Sequence, residues 1–466
     1  MYAPAGFRPG ELGDVEVVAH AGRLHLFHLC LPNHDRVAHL VSDDGLRWER
    51  RPDALRTGPP GAFDDDMIWT VSVTRVGDRH HMLYTALCTR DHGRVQRIGL
   101  AESTDLEHWT KHEAPVSAPD PTYYEAQPGR APWASWRDPK AVVVHKGFAT
   151  TVCARIGDAP ARRAGAIARL SSDDLRNFRA EAPLFAPRRH YELECPQAFT
   201  ICDRWFLTAS VMDDRSQRYW VANSIDGPWR TPPANRLLPD GHYAARVFRW
   251  HGEDAILGWY RDANGHGAVL SPARLAADDH GRLWCAPWSA WDHYASGPAR
   301  PWTDLEPLFS NPHAHREGTV LRAHSGMELW ATRESCDGAL VRAVVRDDAG
   351  LCGLAFGLDA EGNGWFVELD RAEARCRLVR QAPGLDHEGQ PWFAHEIAQE
   401  VPWTAAGERI CVTLRFVERE VELAIEGRLV LSALVDTVAG RVGAFVDSGS
   451  LELHEPTIVE LARPGG

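Results

Sequence analysis

Three acidic residues stand far apart in the chain, each beside the start of an apolar run: Asp14 in GDVEVV, Asp138 in SWRDPKAVVV and Glu194 in YELECPQAF. Carboxyl groups acting together suit the cleavage of a glycosidic bond. A protonated acid donates to the leaving oxygen, and an ionised partner attacks the anomeric carbon or activates water. A third carboxylate can hold sugar hydroxyls and stabilise positive charge on the ring. Singly, an Asp before a strand is an ordinary turn or cap residue. The chemistry exists only if the three meet, which depends on the elements that carry them.

Those elements read as strands. Short alternating runs of β-branched and aromatic residues recur between Gly, Pro, Asp and Asn, and no long helical period is found. One unit repeats, a turn residue and a strand followed later by a Ser, an acidic pair and an aromatic residue. The copies lead from G22-RLHLFH to S42-DDGLRW, from G77-DRHHMLY to S103-TDLEHW, from G147-FATTVC to S172-DDLRNF and from D203-RWFLTA to S224-IDGPW. Their serines are 61, 69 and 52 residues apart, and a fifth strand, G252-EDAILGWY, follows. Repeats of this length, each about four strands, describe propeller blades, in which each sheet is covered by the next. The predicted fold is therefore all-β: a five-bladed β-propeller over residues 1–297, a Pro-rich linker over 298–317 and a β-sandwich over 318–466. In the last, Val412, Leu414 and Phe416 are expected to pair with Val421, Leu423 and Ile425 across a Glu418-Arg419-Glu420 turn, with one face packed and one wet. A propeller gathers the heads of its inner strands around one axial depression, so residues 14, 138 and 194 of blades 1, 3 and 4 are expected to converge there.

Bulk properties narrow the field. With 51 Lys plus Arg against 64 Asp plus Glu in 466 residues, the chain carries a net charge of -13, a poor match to a phosphate backbone. No apolar stretch reaches the ~20 residues of a spanning helix, and MYAPAGFRPGELGD lacks a basic segment followed by an apolar one. Neither nucleic acid nor membrane is expected as a partner, and the cytoplasm is the expected location. The ten cysteines contain no C-x-x-C pair and there is no H-E-x-x-H, so no metal or other cofactor is expected, and the thiols are read as free and buried. Oligomeric state is not encoded in any of these patterns.

The motifs W136-RDP, E194-CP, Y243-AARVF and I256-LGWY, in this order, resemble glycoside hydrolase family 32, the β-fructosidases, whose propellers are related to those of families 43 and 68. VAHLVSDDGLRW resembles that family's first-blade W-G-H-A-x-S-x-D-L-x-H-W, and SPARLAADDHGRL its closing segment; the likeness runs through most of residues 14–290. The resemblance implies an enzyme acting on a furanoside carbohydrate, with Asp14 as nucleophile or base, Asp138 as transition-state stabiliser with Arg137 beside it, and Glu194 as acid/base. Glu192, two residues earlier on the same strand face, is the fallback for the acid. Trp69 falls where the family places an aromatic wall, Trp259 where it places a pocket-lining Trp, and His39 at a structural His. In Asp64-Asp65-Asp66, alternate residues of a strand point opposite ways, so one inward acceptor is expected, assigned to Asp66 because it is nearest Trp69.

The first motif departs from the family's W-M-N-D-P-N-G: here it is GELGDVEVV, and Asp14 stands eight residues before Gly22, a spacing closer to family 43. That leaves two other readings open, an inverting arabinofuranosidase- or xylosidase-like glycosidase and a non-catalytic carbohydrate-binding propeller. The C-terminal domain is expected to buttress the propeller.

Overall fold

The computed structural model describes residues 1–4, 11–262, 265, 267–309, 315–348, 350–381, 394–405 and 407–464. Among them, helix is limited to short 3-10 turns at Thr89–Asp91, Ala161–Arg163 and Ser289–Tyr294, and no helix is long and apolar enough to cross a membrane. The chain divides into two compact units, Tyr2–Cys285, and Ala286–Gly466 with Met1.

The first unit is a propeller of five antiparallel sheets. Blade 1 runs through Leu12–His20, Arg23–Cys30, Arg36–Ser42 and Glu49–Arg56, and blade 2 through Met67–Val76, Arg79–Leu87, Arg97–Ser103 and Thr110–Lys111. Blade 3 runs through Trp136–Val143, Phe148–Arg155, Gly165–Ser172 and Arg179–Ala180. Blade 4 keeps three strands, Leu193–Ile201, Arg204–Val211 and Ser216–Ala222, where the repeat predicted about four. Blade 5 uses His242–Trp250, Glu253–Arg261, Ala273–Ala277 and Leu283–Ala286, with Gly267–Val269 beside its second strand.

The first strand of each blade touches the first strands of both neighbours, so the five close a ring. Tyr2 helps to close it: Tyr2 and Val269 exchange backbone hydrogen bonds of 3.0 and 2.8 Å. Apolar faces fill the spaces between blades. Leu83, Ile98 and Leu100 of blade 2 pack with Trp136, Val152 and Ala154 of blade 3, all 1% exposed or less.

The repeated Ser-acid-aromatic tails are tight turns after the third strand. Ser103 Oγ accepts the N–H groups of Asp105 (3.1 Å) and Leu106 (2.9 Å), and Asp105 accepts those of Glu107 (2.9 Å) and His108 (2.8 Å). Ser42 with Asp44 and Ser172 with Asp174 repeat this pattern. The residue three after each Ser takes a left-handed φ, from 58° at Leu175 to 84° at Gly227. The side-chain oxygens hold N–H groups that a strand cannot, which is why these residue types recur.

The second unit is a sandwich-like arrangement of one long sheet, bent through Gly440–Glu460. Residues 441–447 of that strand pair with Leu351–Leu358, and residues 451–460 pair with Gly338–Asp347. Between them Ser448 and Gly449 have φ of 54° and 138°. The segment 298–317 contains strands Arg300–Pro301, Leu305–Phe309 and His315–Glu317, which pair within this unit; residues 310–314 lie outside the described residues. The predicted hairpin forms in the predicted register, Val412 opposite Ile425, Leu414 opposite Leu423 and Phe416 opposite Val421.

Two expectations need correction. Glu420 lies in the strand rather than the turn, and the polar face is not wet. Arg415, Glu420 and Glu422 are all buried there, with Arg415 Nη2 2.6 Å from Glu420 and 2.8 Å from Glu422. The Trp291 ring covers the Arg415 guanidinium at 4.2 Å. The charges satisfy one another, which permits their burial. Among the thiols, all ten are free, but Cys202 and Cys411 are exposed; Cys202 stands in a turn and Cys411 on the outward side of its strand.

Truncating Arg415 strands two buried carboxylates. Arg415→Ala is expected to cost about 3–5 kcal/mol, read as a lower urea midpoint. Adding Glu420→Gln and Glu422→Gln should restore part of that loss.

Candidate active site

Every inner strand of the propeller carries one residue more than the strand it pairs with. The extra residue falls between Leu12 and Val15 in blade 1, Trp69 and Val71 in blade 2, and Arg137 and Lys140 in blade 3. In blades 4 and 5 it falls between Glu194 and Gln197 and between Tyr243 and Arg246. These bulges break the alternation of a strand, so that neighbouring residues both turn toward the axis. Three bulge residues have left-handed φ: Asp138 at 60°, Cys195 at 49° and Ala244 at 50°. Gly258, opposite the last of them, is required by space, since a Cβ there would lie 2.7 Å from Tyr243 O.

The bulges bring the predicted residues together across blades. Oxygens of Asp14 and Asp138 and the sulfur of Cys195 all lie within 4.8 Å of one another. Cys195 N–H donates to Asp138 Oδ2 at 2.9 Å, and its thiol to Asp14 Oδ2 at 3.5 Å. Thr70 donates to the same Asp14 oxygen, and Trp259 Nε1 to Asp14 Oδ1 at 3.2 Å. Arg137 links the others: its Nη2 is 2.6 Å from Glu194 and 2.5 Å from Glu192, and its Nε is 3.6 Å from Asp138. Tyr243 OH donates to the other oxygen of Glu194.

Glu192 and Glu194 have different surroundings. The Glu192 carboxylate is 0% exposed and accepts from Arg137, Ser135 and Trp133 Nε1 (3.1 Å). Burial alone would raise its pKa, but Arg137 and these donors bring it below the usual carboxylate range. The Glu194 side chain is 19% exposed. It is the member of the pair that solvent, and so a ligand, can reach.

Trp69 faces blade 1: its ring is 5.6 Å from that of His34, in the turn between that blade's second and third strands, and it packs against the apolar core between blades 1 and 2. In the Asp run the deeply inward acceptor is Asp64, which takes Tyr84 OH at 3.0 Å and Lys111 Nζ at 2.6 Å. Asp65 caps a turn through Gly61 and Thr89 N–H groups (2.7 and 2.8 Å), and Asp66 is half-buried beside Gly93. Asp64 is taken up by a hydroxyl and a cation from other strands. His39 is buried and bonds His25 at 3.0 Å, a packing role.

Thr70, Cys195 and Tyr243 escaped the sequence reading as site residues. Each stands at the bulge of its inner strand, in phase with Asp14 and Asp138, a position defined only by the register with the partner strand.

Carboxylates Asp14, Glu16, Asp138, Glu192 and Glu194 face the cations Arg137, Lys140 and Arg246, and Arg215 and Arg261 stand on the ring faces of Tyr243 and Trp259. Burial raises the pKa of Asp14, with Glu194 adding to it, while Thr70 and Cys195 oppose. Burial likewise raises Asp138, against the pull of Arg137. Burial, then Asp14 and Asp138, push the Cys195 thiol well above its ordinary range.

Residues 15–269, more than half of the chain, match the N-terminal domain of glycosyl hydrolases family 32; the match opens one residue after Asp14. The chain belongs to that family. It is 27% identical over 272 residues to β-fructofuranosidase, insoluble isoenzyme 7, of Oryza sativa subsp. indica. That match spans 49% of this chain and less than half, 43%, of the rice protein. The fold is also that of the exo-inulinase of Aspergillus awamori (18% identity, TM-score 0.72, covering 97% of this chain and 96% of that one). Fructan 1-exohydrolase IIa of Cichorium intybus is similar in the same way (15% identity, TM-score 0.71, covering 99% and 97%).

A buried acid with a raised pKa stabilises the native state at low pH. Above the ordinary value of 3.8, the unfolded chain releases a proton that native Asp14 still holds, so stability falls as pH rises until Asp14 has ionised. Asp14→Asn removes that loss, and its single side-chain oxygen can still accept from Trp259 while its amide group faces Thr70 as a donor. Its melting temperature relative to wild type should therefore increase from about pH 4 to about pH 7. A difference that stays constant across this range would contradict the assignment.

Proposed function

We propose that the chain hydrolyses β-fructofuranosides, with a carbohydrate such as sucrose as substrate. The observation that carries this is the meeting of Asp14, Asp138 and Glu194 at the bulges of three blades. Family membership and the rice β-fructofuranosidase support the furanoside. The structures of the Bombyx mori β-fructofuranosidase with sucrose and of the Cichorium intybus enzyme with 1-kestose indicate which sugars to try first.

Glu194, the solvent-reachable acid, donates its proton to the leaving oxygen, and Tyr243 and Arg137 hold its carboxyl group in place. Asp14, fixed by Thr70, Trp259 and Cys195, acts on the anomeric carbon, directly as nucleophile or through a water it activates. Asp138, held by the Cys195 N–H, accepts ring hydroxyls. Positive charge builds on the sugar ring as the bond breaks, and the carboxyl groups of Asp14 and Asp138 favour it electrostatically. Trp69 and Asp66 are proposed contacts at the edge of the same depression.

Glu194→Gln should lower turnover of sucrose by about 10²–10⁴-fold with an unchanged melting temperature. Wild-type turnover in that variant would remove the mechanism. NMR of the first-formed anomer distinguishes direct attack by Asp14, which retains configuration, from water attack, which inverts it.

A further inference from the structure

The motif Y243-AARVF supplies Tyr243 to the site, and Arg246 of the same motif stands two residues beyond the bulge residue Ala244. In a strand that spacing returns a side chain to the same face, about 6–7 Å further along. The same step in the other inner strands leads from Asp14 to Glu16, from Thr70 to Ser72, from Asp138 to Lys140 and from Cys195 to Gln197. A second layer of polar side chains therefore lies beneath the carboxylates, and Glu16, Lys140 and Arg246 give it charge.

That charge is unequally shared. Glu16 and Arg246 are 0% exposed, and Lys140 is 11% exposed. Glu16 Oε1 takes Lys140 Nζ at 2.5 Å and the Val73 N–H at 3.0 Å. Arg246 Nε is 3.6 Å from the other Glu16 oxygen, and Arg246 Nη1 donates to Pro196 O at 3.2 Å. Nε and Nη2 have no hydrogen-bond partner among the described residues. Ser72 and Gln197 are uncharged, and the Gln197 amide is occupied by Val247, at 2.8 Å in both directions. One carboxylate thus answers two cations, and its shorter contact is with Lys140. A buried guanidinium with unmatched donors is costly to stability. Its charge acts instead on the layer above, where it opposes the effect of burial at Asp14, Asp138 and the Cys195 thiol. The other cations are placed differently. Arg137 serves Asp138, Glu192 and Glu194, and Arg215 and Arg261 stand on the rings of Tyr243 and Trp259. Glu194 acts on Asp14 in the opposite sense to Arg246.

We propose that Arg246 is a positioning residue of the reaction: left largely free because Lys140 occupies Glu16, it makes the layer beneath Asp14 and Asp138 net positive and so keeps Asp14 in the ionised form that acts on the anomeric carbon. The bond to Pro196 O fixes the guanidinium in place, next to the residue, Cys195, that contacts both aspartates. This rests on the fructosidase reading, and the test separates the two.

The pH profile of kcat/KM for sucrose is measured in wild type, Arg246→Gln, Lys140→Gln and Arg246→Lys. Because Asp14 must be ionised, kcat/KM falls on the acid side as Asp14 takes up a proton. Losing the cation makes that protonation easier, so the acid limb of Arg246→Gln should move up by about one pH unit. Lys140→Gln should move it the same way, since Glu16 is then free to neutralise Arg246, and this variant carries the test if Arg246→Gln does not fold. Arg246→Lys keeps the charge and should keep the limb within about 0.3 pH unit of wild type. A second readout needs no turnover. The melting-temperature difference between Asp14→Asn and its parent levels off once Asp14 has ionised, and the pH of that levelling should rise by the same amount in either Gln background. A limb unmoved in the Gln variants overturns the role of the layer and leaves the fructosidase reading intact. So does a limb displaced as far in Arg246→Lys as in Arg246→Gln. If neither sucrose nor 1-kestose is cleaved but the levelling point moves, the fructosidase reading fails and the charged layer stands. No cleavage and no movement remove both.

Discussion

One extra residue in each inner strand is the constraint on which the site depends. In a regular strand the residues on either side of a carboxylate point away from it, so five inner strands would offer the axis only alternate side chains. A bulge lifts that restriction. It lets Arg137 lie against Asp138 on its own strand, and lets Cys195 follow Glu194 and still reach Asp14 on another blade. The cost is local. A non-glycine residue at positive φ is disfavoured by about 1–3 kcal/mol, and ladder hydrogen bonds are lost. The residues present reduce that cost. Pro139 and Pro196 follow two of the strained positions and have no N–H to leave unpaired. Cys195 N–H, deprived of a strand partner, is taken up by Asp138. The backbone defect therefore supplies the donor that orients the carboxylate.

The electrostatics work against stability for the same reason. Arg137 alone contacts Asp138, Glu192 and Glu194, and its removal would leave a buried Glu192 without a cation. Even with Arg137, Lys140 and Arg246 present, Asp14 and Asp138 are pushed toward protonation by burial. A site built only for stability would pair them fully. An incompletely compensated set of carboxylates is less stable, and it is better suited to a reaction in which the bound sugar becomes positive. Glu192, fully satisfied and out of reach of solvent, belongs to the supporting half of this arrangement.

What was legible in the sequence follows from locality. The Ser-x-Asp turns are recognisable because a few consecutive residues carry the whole interaction, and their spacing marks out the blades. Asp138 and Glu194 are recognisable because proline follows each by two positions or fewer in a distinctive motif. Bulges are not legible, since an extra residue exists only relative to the partner strand. Thr70 and Tyr243, whose roles depend on the bulges, were accordingly missed. The same limit explains the hairpin. Its register follows from alternation, but alternation also made Arg415, Glu420 and Glu422 look like a solvated face. The cover is Trp291, more than a hundred residues earlier in the chain. Likewise Asp64 is buried because Lys111 and Tyr84 reach it from other strands, and nothing in the local run of three acids separates it from Asp66.

Tyr243 and Trp259 show how a propeller connects recognition with chemistry using few residues. They face each other across the first two strands of blade 5, and each uses both ends of its side chain. The polar end of each bonds a carboxylate contributed by another blade, and the ring face carries a guanidinium. A cation over the ring face favours electron density drawn toward that face, and burial together with the adjacent Glu194 keeps the Tyr243 phenol protonated and therefore a donor. Each ring is thereby held at its polar end and on its face, Tyr243 by two groups of blade 4 and Trp259 by groups of blades 1 and 5, which restricts its rotamers more than packing alone would.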